Sequence, residues 1–181
     1  MSFLILKKME KEMELWEAIL TRRSIRKFTS QLVSHDLIEK ILRAGMQAPS
    51  ARNKQPWHFI VIQNREMLDK ISVVHPYAYM LKEAPLGIVI CGDSNIEITI
   101  EYIVQDCSAA TQNMLLAAHN FGLGAVWLGI YPREPRIKAL RKLLSIPENI
   151  IPVSMIAVGY PAEKKEPENR FNPERVHYEK W

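Results

Sequence analysis

The chain has 181 residues, about one domain's worth. Its 48% hydrophobic content supports a core, its 24% charged content excludes a mainly disordered chain, and the longest uncharged apolar run, Ala84–Gly92, is too short to span a bilayer. A net charge of +4 suits an anionic ligand but is too weak to argue for nucleic acid, and seven unclustered glycines speak against a glycine-loop nucleotide site.

Residues 1–12 carry a four-residue apolar patch followed by charges, too short for a secretory signal, and Met9 and Met13 offer alternative starts. They read as an N-terminal extension or an extra helical turn. Glu14–Leu20 predicts a short amphipathic helix. Ser34 is placed to cap a second helix, with Asp36 at its positive end and Leu37, Ile38, Ile41, Leu42 and Met46 on its apolar face. Ala48-Pro49-Ser50 ends that helix, and a polar loop runs to Pro56. His58–Ile62 predicts a strand, Glu66–Val74 a helix and Leu86–Cys91 a buried strand. Ile98–Phe121 predicts the longest helix, with Gly122 as its stop. It is apolar nearly all round, which favours cover by a partner subunit. Ala125–Gly129 and Val153–Gly159 predict strands, with a helix at Pro135–Leu144 between them. The tail, residues 161–181, is irregular but holds Val176, Tyr178 and Trp181, so it is expected to dock on something. The whole reads as a single α+β domain around a mixed sheet.

Arg22-Arg23-Ser24-Ile25-Arg26-Lys27 places four cations and a hydroxyl in six residues. Guanidinium forks and a hydroxyl suit a phosphate dianion. If extended, the segment turns Arg22, Ser24 and Arg26 to one side and Arg23, Ile25 and Lys27 to the other. On local sequence alone a solvated basic turn is preferred, and a nucleic-acid patch, lacking interleaved aromatics, ranks last. In Ala48-Pro49-Ser50-Ala51-Arg52-Asn53-Lys54-Gln55-Pro56-Trp57, Asn53 and Gln55 each offer a donor and an acceptor, suiting a heterocycle edge such as a flavin pyrimidine. An ordinary helix-to-strand connection explains that loop equally well.

His35, His58, His75, His119 and His177 show no paired spacing, so no metal site is expected. Cys91 and Cys107 lack metal spacing and read as reduced core thiols of a cytoplasmic protein. Gly122-Leu123-Gly124 follows a helix and precedes a strand, the reverse of the dinucleotide fingerprint. Asp106 and Gln112 read as satisfied buried or interface groups.

Taken in order, the two polar segments, Phe121-Gly122-Leu123-Gly124, Trp127-Leu128-Gly129, Gly159-Tyr160-Pro161 and Arg170 resemble the nitroreductase family of flavin-dependent oxidoreductases. The ordered set spans most of the chain and reverses the preference for a plain basic turn. The resemblance implies an α+β homodimer, its mixed sheet flanked by helices, its long central helix at the interface and its tail docked on the partner. It implies FMN as cofactor and NADH or NADPH as reductant, with nitroaromatic or quinone-type acceptors reduced in a ping-pong hydride transfer. Carried across, Arg22, Ser24 and Arg26 hold FMN, Arg22 on the phosphate and Arg26 near the pyrimidine end, while Arg23 matches a more variable position. Pro49, Ser50, Ala51 and Asn53 reach the flavin from the other subunit, with Gln55 supporting that loop. Leu128 and Gly129 line the ring and Arg170 is a second phosphate clamp. The family often carries a basic residue where this chain has Glu168. No catalytic side chain is expected, because the flavin carries the chemistry. Alternatives on the same scaffold are reductive dehalogenation, flavin cleavage or non-catalytic flavin binding.

Overall fold

The computed structural model describes residues 13–181, so the expected extension over residues 1–12 lies outside the described residues. Helix α1 (Leu15–Thr21) leads into an extended basic segment, followed by α2 (His35–Met46), β1 (Trp57–Ile62) and α3 (Arg65–Val74). Then come β2 (Leu86–Asp93), α4 (Ile100–Asn120), β3 (Gly124–Gly129), α5 (Glu134–Leu144) and β4 (Ile150–Gly159). The caps explain several boundaries. Ser34 Oγ accepts from Leu37 N–H at 3.4 Å to open α2, and Asn64 Oδ1 accepts from Met67 N–H at 2.9 Å to open α3. At the end of α4, Gly122 takes a left-handed φ of 72°, Leu123 N–H donates back to Ala118 O at 2.8 Å, and Gly122 N–H donates to His119 O at 3.0 Å.

The strands form one sheet in the order β1-β2-β4-β3, with every neighbouring pair antiparallel. The mixed character expected of the sheet reduces to one parallel bridge, Ser24 beside Ala125. Helices cover both faces, which is why β2 reads as a continuous apolar run. Leu86, Ile88 and Ile90 of β2 enter the core shared with α2 and α4, while Val89 and Cys91 enter the core on the α3 and α5 side. Both cysteines are buried and unpaired, and burial pushes the Cys91 thiol up to about 12.

Two expectations about helices need correction. Helix α4 is not apolar all round: Ile103, Cys107, Ala110, Met114, Leu115 and Ala118 form a stripe covered by its own sheet and α2, while Glu101, Gln105 and Gln112 are exposed. Met46, expected on the buried face of α2, is 49% exposed, and Gly45 takes the buried place because a Cβ there would meet the Met114 side chain at 2.8 Å. In the tail, Tyr178 and Trp181 are exposed, and the Trp181 ring stacks on its neighbour His177 with centroids 4.2 Å apart. No helix among the described residues is long and apolar enough to cross a membrane.

Candidate functional site

Three places hold the site residues expected from sequence. The first is the basic segment, which runs along the open edge of β3. Ile25 is its anchor: its side chain is buried and its N–H donates to Ala125 O at 3.0 Å. Lys165 Nζ donates to Ser24 O at 2.7 Å, and Arg26 N–H donates to Glu163 Oε1 at 2.6 Å, so the tail closes over the segment. Between them lies a cleft of about 510 Å³, lined by Arg23, Ser24 and Arg26 on one side and Lys165, Glu168 and Arg170 on the other.

The side-to-side alternation expected here holds for Ser24, Ile25 and Arg26 but not for Arg23. Arg23 lines the cleft with Ser24 and Arg26 because its side chain folds back. Its guanidinium donates to four carbonyls, those of Leu20, Arg22, Glu166 and Glu168. That use of its donors makes Arg23 a staple between segment and tail. Arg22 lies beside the cleft, half-buried, and among the described residues it makes no ion pair. Burial, then the nearby Arg170 and Arg23, hold its pKa below the ordinary value. Arg170 itself pairs with Glu168 at 3.1 Å, both exposed.

The second place is the loop after α2. Ala51 N–H donates to Asp106 Oδ1 at 3.0 Å, Ser50 Oγ accepts from Gln55 N–H at 3.0 Å, and Gln55 Nε2 donates to Asn53 Oδ1 at 2.9 Å. The two carboxamides thus satisfy one another by half and leave the Asn53 amide donors and the Gln55 carbonyl facing solvent with Pro49. Arg52, Asn53 and Gln55 have φ of 54°, 54° and 50°, a strained run that surrounding contacts must hold. Glu97 holds it. Its carboxylate, 1% exposed, pairs with Lys54 at 3.0 Å and Arg52 at 3.2 Å. The Thr99 N–H and then Lys54 keep that carboxyl down at about 2. Asp106 is satisfied at Oδ1 only, its buried Oδ2 having no partner among the described residues.

The third place is the far end of β3. Leu128 is buried in the core, so only its backbone faces outward. Gly129 is exposed, and a Cβ there would meet nothing within 4 Å. Its carbonyl accepts from His75 Nε2 at 2.9 Å and Arg136 Nη1 at 2.6 Å. Glu97, His75 and Arg136 have no local sequence signature, because their partners lie 45, 54 and 7 residues away in patterns no motif encodes.

These places are not adjacent. The loop is tied to Asp106 and the basic segment abuts His119, whose Nε2 lies 2.8 Å from Thr21 Oγ1. Along α4 the two anchors are thirteen residues apart, about 20 Å of helix. Within one chain the loop and the basic segment therefore stand well apart.

Burial holds His75 and His119 below their ordinary value of 6.5, with Arg136 adding to it for His75 and Arg22 for His119. A histidine kept neutral by the fold binds fewer protons than in the unfolded chain, so stability is full above about pH 6.5 and declines as pH falls through the lowered folded values. Glu97 acts lower, its contribution being full above about 4.5 and lost toward about 2. Urea midpoints measured from about pH 8 to about pH 5 are expected to fall on acidification, and His119→Gln is expected to flatten the curve.

The Nitroreductase family model matches residues 19–75 and 69–160. The chain is 55% identical over 170 residues to a candidate NADH dehydrogenase/NAD(P)H nitroreductase of Methanothermobacter thermautotrophicus, covering 94% of this chain and 89% of that one. The crystal structure of a candidate NADH dehydrogenase/NAD(P)H nitroreductase from Parabacteroides distasonis superposes with a TM-score of 0.90 at 44% identity, covering 94% and 100% of the two chains. A candidate nitroreductase from Desulfovibrio desulfuricans, solved in complex with FMN, superposes with a TM-score of 0.81 at 34% identity, covering 94% and 99%.

Proposed function

Because the chain belongs to the nitroreductase family and is an FMN-dependent NAD(P)H oxidoreductase, we propose that two copies join their half-sites into two FMN sites that reduce nitroaromatic or quinone-type acceptors. The observation that carries this reading is the separation of the half-sites along α4. A single chain cannot bring the Asn53 loop and Arg26 onto one three-ring heterocycle, whereas a two-fold dimer sets the loop of each copy against the basic cleft of the other.

The residues present suit the group. Three guanidinium groups, Arg22, Arg23 and Arg170, crowd one another, and among the described residues Arg22 has no carboxylate of its own, an arrangement a phosphate dianion relieves. The open face over Gly129 leaves room for a flat ring. The chemistry FMN supplies when bound is acceptance of a hydride from NAD(P)H followed by reduction of the acceptor.

In this arrangement Arg22 and Arg170 grip the phosphate, with Glu168 displaced from Arg170. Ser24 adds a neutral donor, Arg23 holds the tail in place, and Arg26 puts positive charge at the pyrimidine end, where negative charge grows on reduction. The backbone of Leu128 and Gly129 borders the ring. Pro49, Ser50, Ala51 and Asn53 of the second copy close it from the opposite face, with Gln55 bracing Asn53. Reductant and acceptor occupy that same open face in turn, which is a ping-pong order. The two buried unpaired thiols suit a reducing compartment such as the cytoplasm.

The test is an absorbance spectrum of the purified protein under anaerobic conditions. Flavin bands are expected, bleaching with NADH or NADPH and returning with a nitroaromatic or quinone. Arg22→Ala is expected to weaken FMN binding about 10- to 100-fold. Bound FMN that no nicotinamide bleaches would sink the proposal.

A further inference from the structure

We propose that Arg136, with the Tyr77 ring beside it, binds the diphosphate of the nicotinamide reductant at the ring end of the site. This inference rests on the FMN reading above and gives it a docking point for the reductant. Ile130 N–H donates to Val153 O at 3.1 Å, inside the sheet. The carbonyl of the same trans peptide, that of Gly129, therefore points the opposite way, to the open edge of β3. Ala125 O opens to that edge too, since it accepts from Ile25 N–H, so the basic segment and the Gly129 carbonyl lie along one edge. Arg136 Nη1 is 2.6 Å from that carbonyl. Its guanidinium thus stands beside the backbone that borders the ring in the FMN reading, at the end away from Arg22 and Arg170.

The guanidinium is held in place but not neutralised. His75, 2% exposed, already donates from Nε2 to Gly129 O at 2.9 Å, so the carbonyl is satisfied without Arg136. Tyr77 N–H donates to His75 Nδ1 at 3.3 Å, and its ring meets the imidazole edge-on with centroids 6.4 Å apart. That ring, 66% exposed, lies 5.2 Å from the Arg136 guanidinium carbon. Among the described residues α5 forms an ion pair at Arg141, to Glu148 at 2.8 Å, and none at Arg136 or Glu134. Residues 133–138 carry three cations and one acid. With Nη1 on the carbonyl, the Nη2 and Nε donors of the fork are left for an anion. An added Cβ at Gly129 would meet nothing within 4 Å, so the edge is open to a ligand. Charge then selects the occupant. Simple quinones and nitroaromatics are neutral, whereas NAD(P)H carries a doubly charged diphosphate one ribose from its nicotinamide. A tether from α5 to β3 would need neither the unpaired charge nor the open face.

The FMN-loaded protein is compared with Arg136→Gln, Arg136→Lys and, as a charge control on the same helix, Lys138→Gln. Calorimetry measures the affinity for tetrahydro-NADH, which cannot give up hydride, and steady-state kinetics use NADH with a neutral quinone. NADH has no phosphate beyond its diphosphate, so a lost contact is assigned to that group. In Arg136→Gln the dissociation constant of the analogue and the KM for NADH are expected to rise about tenfold. The gap to wild type is expected to narrow at high salt, and Arg136→Lys to recover part of it. FMN affinity, melting temperature and kcat/KM for the quinone are expected to hold, and Lys138→Gln to match wild type throughout. Wild-type affinity for the analogue in Arg136→Gln overturns the inference alone. So does an equal loss in Lys138→Gln, or a loss that extends to FMN, the melt or the quinone. A wild-type chain that takes up no FMN overturns the functional reading and this inference with it.

Discussion

A chain carrying Arg22→Ala with Arg26→Ala and a chain carrying Asn53→Pro, each inactive alone, are expected to recover roughly a quarter of wild-type turnover when unfolded and refolded together in equal amounts. The first variant loses two guanidinium groups from the basic half-site, each making charge-assisted bonds of about 1.5–3 kcal/mol. In the second, proline fixes φ near −65° where Asn53 has 54°, and it removes the N–H that donates to Ser50 O at 3.0 Å. The two lesions sit at opposite ends of α4. In a mixed dimer one site collects both defects and the other neither, and roughly half the dimers formed at random are mixed. Turnover is read with NADH and a nitroaromatic acceptor after adding FMN. Mixed dimers confirmed by size but without turnover would place each complete site inside one chain.

Gly124→Ala is expected to cost about 1–3 kcal/mol of stability and to weaken FMN binding at the same time. The added Cβ would stand 2.7 Å from Ile25 Cγ2 and 2.8 Å from Ile25 Cβ. A Cβ cannot rotate away, so the backbone carrying Arg22, Ser24 and Arg26 must lift from the edge of β3 and strain the Ile25–Ala125 hydrogen bond. Gly129→Ala, with nothing within 4 Å of its added Cβ, is expected to leave stability close to wild type. Urea denaturation and FMN titration of both variants check this. Equal stability of the two would mean that the basic segment rides loosely on the sheet.

Local chemistry was legible wherever a few neighbouring residues decide the outcome. Ser34 three residues before Leu37, Gly122 at the left-handed stop of α4 and the apolar run of β2 each announce their element because cap, turn and burial act over one or two turns of chain. The sidedness of α4 was not legible, since Ile103, Cys107 and Met114 look no different from outward apolar residues until α2 and the sheet are in place. Within the candidate site, the basic segment and the Pro49–Gln55 loop stood out by composition, and their order along the chain tied them to a family. What composition hides is the support. Glu97 pins a loop more than forty residues earlier. Arg23 resembles its neighbours but spends its donors on carbonyls of the tail. Alternation along a strand predicts where a Cβ points, yet a long side chain is free to curl back.

The Glu168–Arg170 pair bears on which anions the cleft admits. Glu168 Oε2 accepts from both Nε and Nη2 of Arg170, at 3.2 and 3.1 Å, so the guanidinium already has a counter-ion from its own chain. Capture of an anion there is an exchange, and the released carboxylate stays tethered two residues away, repelling the newcomer. A singly charged anion swaps like for like and gains little. A doubly charged one brings enough charge to hold Arg22 and Arg170 together against that repulsion. Under the proposed phosphate role the cleft would work as an ion exchanger preloaded with a weak occupant, selective for charge density over the abundant monovalent anions around it.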